Sequence, residues 1–196
     1  MSVTCIFGDS TAWGAWDLEK GGWVNRLWLD CAKSGSKDMI YNLSISGGGT
    51  TETILERFES EAKIREADTV VFQTGGNDAA YDKDTKEHLV SLEEFEVNIE
   101  KIIQKAKVLV SKIVFIGFKN CDELKTMPVS WCNLCYTNKY IKEYNGIMKK
   151  VCNKNGIKYT DIFGLLDNTD FEDGLHPNAN GHQKIFEAVK ESILSL

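Results

Sequence analysis

A serine, a histidine and an aspartate of the chain are the residue types that nucleophilic catalysis requires. Ser10 follows Gly8-Asp9 and a short apolar run, so its hydroxyl is expected just beyond the carboxyl end of a strand. A serine hydroxyl is a poor nucleophile until a base accepts its proton. His176 could be this base, because Asp173 lies three residues earlier and could accept the Nδ1–H of the imidazole, leaving Nε2 free. Taken alone, an Asp-x-x-His pair is more often a simple loop contact.

Two further segments could donate hydrogen bonds to an oxyanion. The first is the glycine-rich loop Ser44–Thr50, whose glycines could let a backbone N–H approach a ligand. The same loop could bind phosphate, although no Walker lysine follows it, or it could be a plain tight turn. The second is the side-chain amide of Asn77, which follows two glycines. A common glycine-asparagine turn is the alternative interpretation of that motif.

Aromatic side chains near these motifs could form the walls of a substrate pocket, and sugar rings stack well on such faces. Two tryptophans follow Ser10 closely, and a third lies in the irregular segment 118–137, which we expect to form a pocket rim. The alternative for the first two is that they cover the core. The candidate substrate contacts are Asp9, Trp13, Trp16, Tyr81 and Trp131.

The six cysteines fit reduced thiols better than a disulfide framework. Cys132-x-x-Cys135 could bind zinc or act in redox chemistry, but no second pair completes a four-ligand zinc site. The pair also follows the fourth predicted strand, whereas a thioredoxin-like pair would follow the first. We therefore expect unmodified thiols here, and neither a metal nor an organic cofactor.

The elements that must position these residues alternate between strands and helices. Apolar runs predict five strands, at residues 3–7, 39–43, 68–74, 113–117 and 157–160. Helical periodicity predicts helices at residues 22–34, 51–65, 91–109, 138–155 and 178–196. The polar segment 79–90, which contains His88, is predicted to be a mobile loop or a short helical lid. His182 falls in the last predicted helix.

Four short motifs together resemble the SGNH hydrolases, also called GDSL esterases and lipases. The motifs are Gly8-Asp9-Ser10, Asn42-x-x-x-Ser46-Gly47, Gly75-x-Asn77-Asp78 and Asp173-x-x-His176-Pro177, in the family's order. The resemblance implies that Ser10 is the nucleophile, His176 the general base and Asp173 its orienting partner. It also implies an oxyanion hole made by the backbone N–H groups of Ser10 and Gly47 and the amide of Asn77. Thr11 departs from the leucine of the family's name motif.

The same resemblance implies a flavodoxin-like three-layer α/β/α sandwich with a five-stranded parallel sheet, which agrees with the predicted alternation. The length of 196 residues fits a single domain spanning residues 1–196. The net charge of −6 argues against nucleic acid as a partner. No apolar run is long enough to span a membrane, and no secretory signal precedes the first strand, so we expect a cytoplasmic protein without membrane insertion. The oligomeric state is left open.

The expected function is that of a serine esterase acting on small-molecule carboxylic esters with short acyl chains, including O-acetylated carbohydrates. The absence of G-x-S-x-G and H-E-x-x-H motifs argues against an α/β-hydrolase nucleophile elbow and a zinc hydrolase. An acyltransferase or a thioesterase would use the same residues. A non-catalytic carbohydrate- or phosphate-binding module is the alternative from another class, with the glycine-rich loop as its main support.

Overall fold

The computed structural model describes residues 1–194, in which strands and helices alternate along the chain. The strands are Val3–Gly8 (β1), Met39–Asn42 (β2), Thr69–Gln73 (β3), Tyr81–Asp82 (β4), Lys112–Ile116 (β5), Leu134–Cys135 (β6) and Lys158–Thr160 (β7). The helices are Ser10–Trp13 (α1), Trp23–Lys33 (α2), Thr51–Ile64 (α3), Leu92–Leu109 (α4), Asn138–Asn155 (α5) and Ala179–Leu194 (α6). Residues 195 and 196 of the last predicted helix lie outside the described residues.

Five strands form one parallel sheet with the order β2-β1-β3-β5-β7. Helices α2 and α6 pack together on one face, and α3, α4 and α5 pack on the other. Counting only the strands of this sheet, the order is 2-1-3-4-5, which is the flavodoxin-like arrangement. The prediction of a three-layer α/β/α fold with five parallel strands is thus confirmed.

Both faces of the sheet are apolar because its central strands are buried on both sides. In β1, Phe7 faces the layer of α3, α4 and α5, whereas Ile6 faces α2 and α6. The ring of Phe7 stacks on Phe72 of β3 with a centroid distance of 5.7 Å, and Phe58 of α3 meets Phe72 edge-on at 5.4 Å. Each such fully buried side chain contributes about 1.5–3 kcal/mol relative to exposure.

Several predicted element boundaries match the capping groups. The Ser91 side chain accepts a hydrogen bond from the Glu94 backbone N–H, and the Glu94 carboxylate accepts one from the Ser91 N–H, which completes the capping box of α4. Helix α5 is followed by Gly156, whose φ of 68° is the left-handed conformation that glycine adopts readily. These local signals explain why the starts and ends of the long helices were predictable.

Two short segments differ from the sequence-based prediction. No helix is predicted directly after β1, but Ser10–Trp13 is helical and is capped by Asp9. Segment 79–90 is not a helical lid, because Tyr81–Asp82 pairs antiparallel with Leu134–Cys135. The partner strand lies about fifty residues away, so no local pattern could indicate the pairing. Within residues 1–194, no helix combines the length and apolarity needed to cross a bilayer.

Candidate active site

A chain of hydrogen bonds links Ser10, His176 and Asp173. Ser10 begins α1 immediately beyond the end of β1. Its Oγ lies 2.9 Å from His176 Nε2, and His176 Nδ1 lies 2.7 Å from Asp173 Oδ2. The loop after β7 therefore runs back over the carboxyl edge of the sheet to reach Ser10. The arrangement allows the imidazole to accept the Ser10 proton through Nε2 while Nδ1–H donates to the carboxylate.

The Asp173 carboxylate accepts hydrogen bonds on both oxygens. Oδ1 accepts from the backbone N–H groups of Leu175 at 2.9 Å and His176 at 2.7 Å. Oδ2 accepts from His176 and from the indole N–H of Trp16, which is 2.9 Å away. Burial by itself would raise the pKa of Asp173, but the hydrogen bonds and charge of His176 outweigh it and hold that pKa well below its usual range. The group therefore remains an anion that fixes the imidazole.

The glycine-rich loop is held against the segment that carries Ser10. The Ile45 N–H donates to the Gly8 carbonyl at 3.0 Å, so the loop continues alongside the end of β1. A Cβ added at Gly49 would lie 3.1 Å from the Asp9 Cα, which shows how closely the two backbones approach. Gly47, with a φ of 82°, lines the same cavity as Ser10.

Asn77 enters the site from the loop that follows β3. Its Nδ2 donates to the Gly49 carbonyl at 3.0 Å, and its Oδ1 accepts from the Tyr136 hydroxyl at 2.9 Å. The next residue, Asp78, is fully buried and accepts hydrogen bonds from the Thr51 backbone N–H at 3.0 Å and hydroxyl at 2.5 Å. Burial raises the pKa of Asp78 to about 6, although these hydrogen bonds oppose the shift.

Ser10, His176 and Asn77 open onto one cavity of about 420 Å³. Apolar walls are supplied by Leu89, Leu134 and Leu175. The Trp131 ring packs against His176 with a centroid distance of 5.5 Å, while about half of the Trp131 surface stays exposed. The remaining lining residues are Trp16, Ser46, Gly47, Gly48, Cys132, Tyr136 and Asp173.

Three of the five candidate substrate contacts lie outside the cavity lining. Asp9 is 1% exposed, and its Oδ1 accepts the Thr11 backbone N–H at 2.8 Å, so it caps α1 instead of facing a ligand. Trp13, on α1, is exposed but does not border the cavity. The Tyr81 ring packs edge-on against Tyr140 at 5.6 Å and does not border the cavity. Trp16 and Trp131 do line the cavity.

A buried lysine lies behind the site. Lys119 is fully buried, and its ammonium group is 3.9 Å from the centroid of the Phe118 ring. Burial lowers the pKa of Lys119 to about 8, and the nearby negative charges of Asp9, Cys121 and Asp173 oppose that shift. Burial likewise raises the pKa of Asp9, and the charge of Lys119 opposes this shift. The charges of Asp9, which caps α1, and of Lys119 thus stabilise each other.

The other two histidines and the cysteine pair are not part of the hydrogen-bond chain that links Ser10, His176 and Asp173. His88 Nδ1 lies 2.9 Å from the Ala79 carbonyl, and His182 Nε2 lies 3.0 Å from the Ala15 carbonyl. Cys132 is exposed at the cavity, whereas Cys135 is buried in the β4–β6 ribbon. Within residues 1–194, no group of three or more histidine, cysteine or acidic side chains is arranged to hold a metal ion.

Sequence reasoning missed Tyr136 and the leucines of the cavity wall. Tyr136 follows β6, a strand of two residues, so neither periodicity nor a motif marks it. Leu175 lies between Asp173 and His176, in a motif that is defined by its polar residues. The predicted pocket rim at residues 118–137 does contribute Trp131, Cys132, Leu134 and Tyr136 to the lining.

Both the sequence and the fold match known proteins. A model of the GDSL-like Lipase/Acylhydrolase family matches residues 6–184. The isoamyl acetate-hydrolyzing esterase 1 homolog of Homo sapiens is 27% identical over 202 residues, which cover 92% of this chain and 77% of that protein. A lipase/acylhydrolase from Enterococcus faecalis has the same fold, with a TM-score of 0.77 at 24% identity over 98% of this chain and 97% of that one.

An acetylxylan esterase from Geobacillus stearothermophilus also has this fold, with a TM-score of 0.74 at 18% identity over 97% of this chain and 93% of that one. At such identities the solved structures establish the fold. The family model and the human relative extend over nearly the whole chain. The protein therefore belongs to the GDSL-like lipase/acylhydrolase family and is a carboxylic ester hydrolase.

Proposed function

We propose that Ser10 is the nucleophile of this esterase, His176 its general base and Asp173 the partner that orients the imidazole. The observation that carries the proposal is the continuous hydrogen-bond chain, with 2.9 Å between Ser10 Oγ and His176 Nε2 and 2.7 Å between His176 Nδ1 and Asp173 Oδ2. Ser10 attacks the ester carbonyl as His176 accepts its proton. The protonated histidine then returns the proton to the leaving alcohol, and water hydrolyses the acyl-enzyme by the reverse sequence.

The negative charge on the carbonyl oxygen is met by the backbone N–H groups of Ser10 and Gly47 and by the Asn77 side chain. Support comes from the shared cavity that these three residues line and from the hydrogen bond that fixes Asn77 beside the glycine-rich loop. Donors that are already in place cost no reorganisation when the charge develops. Loss of one such donor lowers turnover by about 10²–10³-fold.

The substrates that we propose are small esters with short acyl chains, with O-acetylated carbohydrates as the favoured class. A cavity of about 420 Å³ suits a small substrate, and its leucine side chains suit an acyl methyl group. The half-exposed indoles of Trp16 and Trp131 offer flat faces for a sugar ring. The names of two related proteins also refer to acetate esters, namely isoamyl acetate and acetylxylan.

The compartment that we propose is the cytoplasm. All six cysteines are free thiols. Disulfides form and persist in oxidising compartments and are rare in cytosolic proteins. Free thiols persist in a reducing environment, which is the supporting argument for this assignment.

Hydrolysis of p-nitrophenyl esters from acetate to palmitate tests both the mechanism and the substrate class. Wild type should act best on the acetate, and Ser10→Ala should lower kcat by roughly 10⁴-fold or more because no other group replaces the nucleophile. Ser60→Ala, on an exposed turn of α3, is the matched control and should behave as wild type. Activity that survives in Ser10→Ala would contradict the mechanism, and a preference for palmitate would contradict the substrate class.

A further inference from the structure

The side-chain amide of Asn77 has two partners that differ in hydrogen-bonding ability. The Gly49 carbonyl, 3.0 Å from Nδ2, can only accept a hydrogen bond. The Tyr136 hydroxyl, 2.9 Å from Oδ1, must then donate its proton to the amide oxygen. Together these contacts decide which end of the amide is nitrogen, and they leave the second N–H of Nδ2 available to the cavity that Asn77 lines.

The position of Tyr136 is itself fixed by its surroundings. Its side chain is 6% exposed, and its backbone N–H donates to the Thr126 carbonyl at 2.9 Å. The Thr126 hydroxyl donates in return to the Tyr136 carbonyl at 2.9 Å. Tyr136 also directly follows β6, which is paired with β4, so the ribbon places the hydroxyl opposite Asn77. Burial raises the pKa of the Tyr136 hydroxyl, which keeps it protonated and able to donate.

We propose that Tyr136 is a positioning residue for ester hydrolysis, because its hydroxyl locks the Asn77 amide with an N–H directed at the reacting carbonyl oxygen. The inference rests on the proposed role of Asn77 as an oxyanion donor. Without the hydroxyl, only the Gly49 carbonyl of these two partners still holds the amide, so the amide can tilt and its second N–H is directed less accurately at the reacting carbonyl oxygen. The cost falls on the transition state, where the carbonyl oxygen carries its charge, and little on substrate binding.

The test is Tyr136→Phe, which removes the hydroxyl and keeps the ring. With p-nitrophenyl acetate, kcat should fall about tenfold, the effect of losing one neutral hydrogen bond, while KM stays within about twofold. Tyr159→Phe is the matched control, because the Tyr159 hydroxyl is buried but has no hydrogen-bond partner among the described residues. The control should keep the wild-type kcat. Titration of reactive sites with a fluorophosphonate normalises each kcat to folded enzyme.

A double-mutant cycle with Asn77→Ala separates positioning from a general structural effect. Once the amide is absent, Tyr136→Phe should lower kcat by less than about twofold further, because the two residues act as one unit. An equal tenfold loss in both backgrounds, or an unchanged kcat in the single variant, would overturn the proposal. If Asn77→Ala itself kept the wild-type kcat, the oxyanion assignment would fail first, and with it the basis of the inference. The two failures are therefore distinguishable.

Discussion

Cys132 places a thiol at the cavity that also contains the Ser10 hydroxyl. Of the six cysteines, Cys132 is the exposed one, and it lines the cavity, whereas the other five are buried. Burial raises the pKa of Cys5, Cys31, Cys121 and Cys152, which further suppresses their thiolate forms. Reaction of the native protein with an alkylating reagent should therefore modify one thiol and narrow the entrance to Ser10.

We predict that a bulky maleimide lowers the hydrolysis of p-nitrophenyl acetate by wild type and leaves Cys132→Ser at its own untreated rate. Mass spectrometry should show one adduct per wild-type chain and none on the variant under the same brief exposure. Equal inactivation of both proteins would mean that a buried thiol, and not Cys132, controls access. The prediction concerns access only, because the proposed mechanism uses no thiol.

At the level of single residues, the sequence predicted those site residues that belong to short motifs. Ser10, Asp173 and His176 belong to compact patterns, and the structure brings their side chains within hydrogen-bonding distance. Side-chain direction was less predictable. Asp9 precedes Ser10, yet the backbone turns its carboxylate inward to cap α1. Closeness in sequence to a candidate nucleophile therefore does not establish contact with a substrate.

At the level of elements, two glycines show opposite constraints. Gly146 lies on an exposed turn of α5, and an added Cβ there would meet nothing within 4 Å. Gly8 ends β1, and an added Cβ would lie 2.6 Å from the Gln73 carbonyl oxygen and 2.7 Å from the Ala12 Cβ. Alanine at position 146 should thus favour helix α5, whereas alanine at position 8 should force strand β1 away from its neighbours.

We predict that Gly146→Ala raises the free energy of unfolding by about 0.5–1 kcal/mol, because alanine loses less backbone entropy in a helix. The corresponding rise in melting temperature is about 1–4 °C for a chain of this length. Gly8→Ala should instead lower the free energy of unfolding by about 1–3 kcal/mol, as overpacking does. Calorimetry of the two variants checks both signs, and a stabilised Gly8→Ala would refute the steric argument.

The elements themselves were predictable where a segment is long enough to show a pattern. The apolar runs of the five parallel strands and the periodicity of the long helices are local properties of the sequence. Strands β4 and β6 are two residues each, and what defines them is the pairing of Tyr81 with Cys135 and of Asp82 with Leu134. That pairing joins segments about fifty residues apart, so no local window of sequence contains it. Tyr136 was missed for the same reason.

For the whole molecule, His182 makes the stability sensitive to mild acid. It is fully buried on α6, its Nε2 lies 3.0 Å from the Ala15 carbonyl, and the charges of Asp17, Lys119 and Arg26 act on it. Burial lowers its pKa to about 4, whereas an unfolded chain has a histidine pKa near 6.5. Between these values the unfolded state binds the extra proton, so the free energy of unfolding falls as the pH falls.

From pH 7 to pH 5 this single group should remove about 2 kcal/mol from the free energy of unfolding. The glutamine of His182→Gln can still donate to the Ala15 carbonyl but does not titrate. Between pH 7 and pH 5, the free energy of unfolding of this variant should therefore fall by about 2 kcal/mol less than that of wild type. Guanidinium unfolding of both proteins at the two pH values measures the difference, since all other titrating groups are shared. Parallel declines would show that His182 is not the group responsible.

The contact between Trp131 and His176 also has a spectroscopic consequence. The two rings are 5.5 Å apart and tilted by 30°, and about half of the Trp131 surface is exposed to solvent at the cavity. Trp131 fluorescence should therefore change when a molecule comes to lie between the ring and the solvent. Because the chain contains five tryptophans, the difference spectrum against Trp131→Phe isolates this signal. The binding of colourless natural esters then becomes visible without a chromogenic leaving group.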